Sequence, residues 1–331
     1  MKILVTIPKG EIFDSFVPPL VQARLEEVGD VEYNETAAQF TQKVLAERLK
    51  GKDAVITGWG TAKIDKIIIE AAADLKIIAH TGGTVQMIAD KAAYDAGIKI
   101  LSGNDIYAES VAESVIAYAL TALRKIPDYI DDMRRGGWEN ESIWEGLLEQ
   151  KIGIVGYGMT ARHLVKMLKV FRCETLVYSS HISEDELQEG NMKRATLEEI
   201  FSTCKIVSLH SALTPKNHHM INKNLLDMLQ PDAILINTAR GEIIDESAMI
   251  ESLSKGRYRA VLDVFEQEPL PVDSPLRKLK NAYLIPHRAG PTYDRRKYVT
   301  LRLAADLENF FAGRPLNLEI SKEYSGFMTQ K

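Results

Sequence analysis

Three short segments of this 331-residue chain end an apolar run in a side chain able to do chemistry. Ile234-Leu-Ile-Asn-Thr-Ala-Arg240-Gly241 delivers an arginine, whose planar fork can grip a carboxylate. Ala260-Val-Leu-Asp263-Val-Phe-Glu266-Gln-Glu268-Pro269 delivers acids, and Leu284-Ile-Pro-His287-Arg-Ala-Gly-Pro-Thr292 a histidine. Each alone has an ordinary explanation: Arg240 as a loop cap, Glu268 as a solvated acid, His287 as a satisfied polar residue after proline. Each also sits just past the C-terminal end of a predicted strand, where open parallel sheets bind ligands. Together they supply a carboxylate binder, a proton-transfer group and an acid to pair with it.

The stretch that organises them is Lys151-Ile-Gly-Ile-Val-Gly-Tyr-Gly-Met-Thr-Ala161. An apolar strand meets Gly156-x-Gly158-x-x-Ala161, and Leu164, Val165, Leu168 and Phe171 continue at helical spacing. In a dinucleotide cradle the first glycine permits the turn and the second lets backbone approach a pyrophosphate, while a small third residue packs the helix close. Gly156, Tyr157, Gly158, Met159 and Thr160 are therefore cofactor-binding candidates. The plain alternative is a tight strand-to-helix turn with no ligand.

Around this stretch, strands and helices alternate. Before it, strands are expected at Ile3–Ile7, Ala54–Thr57, Lys76–His80 and Ile98–Leu101. Helices are expected at Val17–Val28, Gln39–Leu49, Ile64–Ala73 and Val85–Asp95. A long helix from Tyr107 to Arg135, interrupted at Pro127, reads as a linker. Trp138 and Trp144 are expected to anchor the following loop by packing. After the cradle come strands at Thr175–Tyr178, Lys205–Leu209, Ala233–Asn237, Arg259–Asp263 and Ala282–Ile285, making six with the first. The segment 294–311, with Val299, Leu303, Leu307 and Phe310 on one face, is too short to fold alone and must return to the first lobe. The fold class is α/β in two lobes with a cleft between them. A discontinuous substrate domain (1–103 plus 292–331) of flavodoxin-like type carries an inserted Rossmann domain, a doubly wound parallel sheet (104–291).

Bulk composition narrows the partners. A net charge of −5 with no long basic run leaves no footprint for nucleic acid or an anionic membrane. No run approaches membrane-spanning length, and the N-terminus lacks a signal pattern. Cys173 and Cys204 lack metal-ligand spacing and read as reduced thiols of a cytoplasmic protein. His210, His218 and His219 do not make a metal site, because adjacent histidines point apart in extended chain and no acid spacing completes one.

The ordered set Gly-Tyr-Gly-Met-Thr-Ala, Ser-Leu-His-Ser-Ala-Leu-Thr-Pro (208–215), Asn-Thr-Ala-Arg-Gly (237–241), Leu-Asp-Val-Phe-Glu-Gln-Glu-Pro (262–269) and Pro-His-Arg-Ala-Gly-Pro-Thr (286–292) resembles the D-isomer-specific 2-hydroxyacid dehydrogenases. The resemblance thins before about residue 75. It implies hydride transfer between a nicotinamide and a small 2-oxo or 2-hydroxy acid, and a homodimer built largely on the nucleotide domain. By motif, Arg240 holds the substrate's carboxylate and oxo group, His287 is the acid/base and Glu268 pairs with it. Such a carboxylate favours the charged imidazole, which protonates the alkoxide formed on reduction. Thr238 and Ala239 fall on the cofactor's side, Asp263 beside the nicotinamide or as a strand-end cap, and His210 on the cofactor or a local hydrogen bond. Glu268, where formate dehydrogenases have glutamine, argues against that chemistry. A nucleotide-sensing regulator or corepressor on the same fold is the competing class, with the intact Arg240, Glu268 and His287 against it.

Two places depart from the pattern. Ser179, followed by Ser180 and His181, stands where NAD-preferring members carry an acid for the adenosine ribose. Its loss removes repulsion against a 2′-phosphate, so NAD or NADP stays open with a slight lean to NADP, although no arginine follows immediately. Lys193 and Arg194 lie too far along to place. His80-Thr-Gly82-Gly83-Thr84 replaces the family's usual substrate loop; Gly82, Gly83 and Thr84 can still offer backbone N–H groups to a carboxylate. His80 is either a specificity residue or a polar strand end. No domain follows residue 331, so feedback through a C-terminal regulatory domain is not expected.

Overall fold

Short, continuous apolar runs make the strands, as expected for sheets covered on both faces. The computed structural model describes residues 1–138, 144–326 and 328. These divide into two compact units, Met1–Tyr107 with Pro291–Lys331, and Ala108–Gly290.

In the first unit β1 (Lys2–Val5), β2 (Asp30–Tyr33), β3 (Ala54–Thr57), β4 (Ile77–His80) and β5 (Lys99–Ser102) form a parallel sheet of order β2-β1-β3-β4-β5. Every residue of β3 and β4 is buried, and an apolar cluster covers each face of the sheet. The Arg296–Phe311 helix sinks Val299, Leu303, Ala304 and Leu307 into the cluster that holds Ile3, Val5 and Ile56. Buried Asp306 then accepts from the backbone N–H groups of Asn317 and Leu318, both at 2.7 Å, and ties down the chain beyond that helix.

The second unit holds β6 (Lys151–Val155), β7 (Glu174–Tyr178), β8 (Met192–Arg194), β9 (Ile206–Leu209), β10 (Ile234–Asn237), β11 (Arg259–Leu262) and β12 (Ala282–Leu284). All are parallel, in the order β12-β11-β10-β9-β6-β7-β8. Strand order reverses direction at β6, so the crevice beyond the C-terminal ends of β6 and β9 is the topological switch point.

Several expectations need correction. Seven strands, not six, make the second sheet; β8 is a three-residue edge whose Lys193 and Arg194 are exposed, so no apolar alternation marks it. β2 does alternate, Asp30-Val31-Glu32-Tyr33, but over four residues only, too short a run to stand out. The helix expected over 85–95 is confined to Lys91–Asp95: Asp90 caps it through Ala92 N–H, and Ala89 instead pairs with Ile64 as a bridge. The long linker helix is two, Asn104–Leu123 and Ile126–Arg134, broken at Lys125 with φ 50°, and Pro127 lies in the first turn of the second. By length and composition Asn104–Leu123 is long and apolar enough to cross a membrane, contrary to expectation. Its Ala112, Val115, Ala119, Ala122 and Leu123 are buried in the second unit's core. Trp138 and Trp144 are exposed, Trp144 touching Tyr129 edge-on, and the loop between them, which they are expected to anchor, lies outside the described residues.

His80 is the polar strand end. It is 4% exposed, its Nδ1 lies 2.9 Å from Thr57 Oγ1, and burial pushes its pKa down to about 4. The unfolded chain takes up this proton near the ordinary histidine value of 6.5, the folded chain only near 4, so stability falls as pH falls through that window. One such group costs up to about 1.4 kcal/mol per pH unit there. Replacing His80 by Asn is expected to flatten the acid-side decline in unfolding free energy by roughly one proton's slope. Parallel pH profiles for the two proteins would overturn this reading.

Candidate active site

The arginine comes first in chain order. β10 ends at Asn237, whose side chain accepts from Ala239 N–H (3.0 Å) and donates to the Arg240 carbonyl (2.9 Å), folding residues 237–240 into a tight exit. At Gly241 a Cβ would stand 1.9 Å from the Phe265 carbonyl carbon. Only glycine lets the β10 exit press against the β11 exit, and this brings Arg240 under the influence of Glu268. Burial pushes the Arg240 guanidinium down, with the Glu268 and Glu242 charges opposing.

Past β11, the Glu268 carboxylate has two tasks. Oε1 accepts from Phe265 N–H at 3.1 Å, and Oε2 lies 2.7 Å from His287 Nδ1. With side chains 52% and 36% exposed, the His287–Glu268 pair adds little to stability, about 0–1 kcal/mol. Its value is orientation: with Nδ1 held by an acid, Nε2 is the nitrogen left to exchange a proton with a substrate.

His287 itself has φ 52°, a left-handed backbone that costs a non-glycine residue roughly 1–3 kcal/mol unless its surroundings impose it. The surroundings are explicit. His287 N–H donates to the carbonyls of Asp263 (2.9 Å) and Ile285 (3.0 Å). The Asp263 carboxylate, 1% exposed, accepts from Arg288 N–H at 2.7 Å and Ala289 N–H at 3.0 Å. Tyr118 donates its hydroxyl to the same carboxylate at 3.2 Å, and Ser114, one helical turn earlier, donates to the Ala289 carbonyl at 3.1 Å. Burial first, then the Asp263 charge, push the Tyr118 phenol up, so it stays a donor. Asp263, expected beside a nicotinamide or as a strand-end cap, thus spends its carboxylate on the loop that carries His287. Sequence reading missed Ser114 and Tyr118 altogether, because a helix taken as a linker gives no sign of which face meets a loop far along the chain.

The cofactor candidates line the same edge of the second sheet. Gly156 has φ 94° and a Cβ would sit 2.6 Å from Ser211 N, so glycine is required at the turn. At Gly158 a Cβ would meet nothing within 4 Å, open space at the N-terminus of the ten-residue Met159–Leu168 helix, whose cap makes no side-chain hydrogen bond. Tyr157, Met159 and Thr160 are half-buried around it, and Ala161 is fully buried. Past β10, the buried Thr238 Oγ1 has no hydrogen-bond partner among the described residues, and half-buried Ala239 follows. An open cradle and an orphaned hydroxyl fit a dinucleotide. Ser179 and Ser180 follow β7, where Ser179 Oγ accepts from His181 N–H at 3.2 Å. His210 makes the local bond, its Nε2 2.8 Å from Ser208 Oγ, and burial pushes it down to about 4.

His218 and His219, expected to point apart, stack at 3.9 Å because His219 takes φ 51° rather than an extended backbone; its Nε2 lies 2.7 Å from Glu266. On the first unit, Gly82, Gly83 and Thr84 follow β4. Gly82 is buried, and the carbonyls of Gly82 and Gly83 accept from Ser102 Oγ at 3.0 and 2.5 Å.

The model of the D-isomer specific 2-hydroxyacid dehydrogenase NAD binding domain matches residues 116–289. The chain is 32% identical over 311 residues to a glyoxylate reductase of Korarchaeum cryptofilum, covering 91% of this chain and 93% of that protein. It is 33% identical over 295 residues to a D-3-phosphoglycerate dehydrogenase of Methanocaldococcus jannaschii, covering 87% of this chain but 55% of that protein, about half its length. A crystal structure of D-lactate dehydrogenase with NAD+ from Lactobacillus jensenii has the same fold, with a TM-score of 0.81 at 22% identity over 97% of this chain and 100% of that one.

Tyr118 holds the histidine loop through the Asp263 carboxylate. Tyr118→Phe removes one hydrogen bond of about 1 kcal/mol, so amide exchange at Arg288 and Ala289 is expected to quicken about fivefold while exchange in β6 stays unchanged. Unaltered exchange at both loop amides would remove Tyr118 from this role.

Proposed function

The chain belongs to the D-isomer specific 2-hydroxyacid dehydrogenase family, and from that membership we propose that it interconverts a small 2-oxo acid and the D-2-hydroxy acid with NAD or NADP. One observation carries the reading: Arg240, Glu268 and His287 stand on the exits of β10, β11 and β12, the edge of the sheet that also bears the Gly156–Gly158 cradle.

The backbone of Gly156 to Thr160 would hold the pyrophosphate, with Thr238, Ala239 and His210 along the same edge and Ser179 and Ser180 toward the adenosine ribose. A bound nicotinamide supplies or accepts the hydride. Arg240 binds the carboxylate and polarises the oxo group, a task its half-buried, charge-bearing fork suits. As the carbonyl carbon is reduced, protonated His287 gives the Nε2 proton to the new alkoxide; in oxidation the neutral ring takes the hydroxyl proton. Glu268 keeps Nδ1 protonated and the ring in place. Asp263 acts through the loop and is a positioning residue. Gly82, Gly83 and Thr84 remain the first unit's candidates for a substrate carboxylate.

We assign the enzyme to a homodimer. The Ile126–Arg134 helix buries none of its residues and exposes Ile126, Ile130 and Met133 at helical spacing, an apolar stripe suited to a second copy. Free thiols at Cys173 and Cys204 suit a reducing cytoplasm.

Consumption of NADH and of NADPH should be followed in parallel across 2-oxo acids of graded size, and turnover with at least one is expected. His287→Asn should lower kcat by about a thousandfold with cofactor affinity within about twofold. Near-normal turnover in that variant removes His287 from proton transfer, and cofactor binding with no turnover on any acid counts against the dehydrogenase reading. Ile130→Glu should shift the protein toward a monomer in sedimentation; an unchanged dimer would exclude that helix as its interface.

A further inference from the structure

Glu266 stands two residues before Glu268 on the β11 exit, yet its bonds run to other segments. Its N–H donates to the Glu246 carboxylate at 3.2 Å, and its Oε1 accepts from Glu246 N–H at 3.1 Å. Glu246 opens the Glu246–Ser254 helix, which follows Arg240 by way of the short turn Gly241–Ile243. The exchange therefore latches the segment that carries Glu268 to the segment that carries Arg240, a second fastening beside the close approach of Gly241 to Phe265. Two carboxylates come together in this latch. Burial pushes the Glu246 carboxyl up, the Glu266 N–H opposes the rise, and the Glu266 charge adds to it. The group that meets the acids is a histidine. His219 Nε2 lies 2.7 Å from Glu266 Oε1, and the His218 ring stacks on the His219 ring at 3.9 Å. The backbone around it is bolted to the same region: His219 N–H donates to the Glu242 carbonyl at 2.8 Å, and Ile221 N–H to the Ile243 carbonyl at 3.0 Å. With φ 51°, His219 holds a left-handed backbone that glycine or asparagine adopts at lower cost. The ring stands there against that cost, and the bond to Glu266 is what it gains.

We propose that His219 is a positioning residue for the proton-transfer pair: through Glu266 it holds the β11 exit, and so sets Glu268 against Arg240. The proposal rests on the dehydrogenase reading and adds a residue to its machinery. The His219 and Glu266 side chains are 39% and 33% exposed, so their pairing contributes little to stability. Its consequence is geometric. Glu268 returns its Oε1 to Phe265 N–H, which closes residues 265 to 268 into one tight turn that moves as a unit. Freeing Glu266 lets that turn tilt about the end of β11 and draws the Glu268 carboxylate away from the His287 ring that it orients, while Arg240 stays on the β10 exit. Reaction rates are steep in such displacements, on the order of a hundredfold for about 1 Å.

His219→Asn should be compared with the native full-length protein. Asparagine suits the left-handed backbone but is too short to reach Glu266, so the fold and Tm are expected to hold. On the 2-oxo acid turned over fastest, kcat should fall about tenfold, with the KM of the acid and the affinity for reduced cofactor within about twofold of native. His219→Gln, whose amide can still donate to Glu266, should recover part of the rate. In a Glu266→Gln background, His219→Asn should cost nothing further, because the histidine acts through that acid. Amide exchange at Glu246 and Glu266 should quicken several-fold in His219→Asn and stay unchanged in β9. A native kcat in His219→Asn overturns the proposal, as do losses that add in the double variant or latch amides that exchange no faster. A native chain inactive on every acid overturns the dehydrogenase reading and takes the positioning role with it, an outcome the native control tells apart from the others.

Discussion

The buried carboxylate of Asp263 is the constraint on which the candidate site depends. A carboxylate at 1% exposure is costly unless its charge is met by hydrogen bonds, and here Arg288 N–H, Ala289 N–H and the Tyr118 hydroxyl meet it. Satisfying that charge fixes three consecutive residues, 287 to 289, against the end of β11. The left-handed backbone of His287, unfavourable in isolation, is imposed by the same contacts. From that backbone the ring reaches Glu268, which is itself held by the Phe265 amide. The order of dependence runs from a buried charge to a loop, from the loop to a ring, and from the ring to an acid.

The sheet explains why these groups meet. Every strand of the second unit is parallel, so all their C-terminal ends lie on one edge, and each exit loop projects there. Two exits are then pressed together by the absence of a side chain at Gly241, against Phe265. A methyl group at that position would push the β10 exit, and Arg240 with it, away from Glu268.

Much of this was legible in the sequence, for a physical reason. Asp263 ends an apolar run, while Arg240 and His287 follow one within a few residues, and in a parallel sheet such a place past a strand end points to the edge where ligands bind. The family resemblance, carried by the same residues, is shown by relatives along most of the chain. What escaped was information that no local pattern holds. β2 and β8 are edge strands of four and three residues with charged side chains, too short for their few core-facing residues (Val31 and Tyr33; Met192) to stand out as a pattern. Ser114 and Tyr118 act on a loop 145 or more residues away through two hydrogen bonds, and helical periodicity says only that they share a face. Arg194 stands 15 residues beyond Ser179 in sequence, yet the parallel register of β7 and β8 sets it beside the turn.

The electrostatics of the edge bear on what it can bind. Asp263, Glu268 and Glu242 gather negative charge around Arg240 and His287, a poor setting for an anionic substrate if those acids were free. They are not equivalent. Asp263 is neutralised in effect by its backbone and phenol donors, and Glu268 is divided between the Phe265 amide and the His287 ring. Arg240 is different: burial disfavours its charge, and the neighbouring acids only partly offset that. Its half-buried guanidinium spends one donor on the Ala239 carbonyl at 2.6 Å and has no bidentate carboxylate among the described residues, so it gains most from a planar anion that fills its fork. In the proposed reaction the substrate carboxylate is that anion. The arginine's incomplete compensation in the protein alone then becomes binding energy for a 2-oxo acid, directed at the group that distinguishes such an acid from a simple ketone.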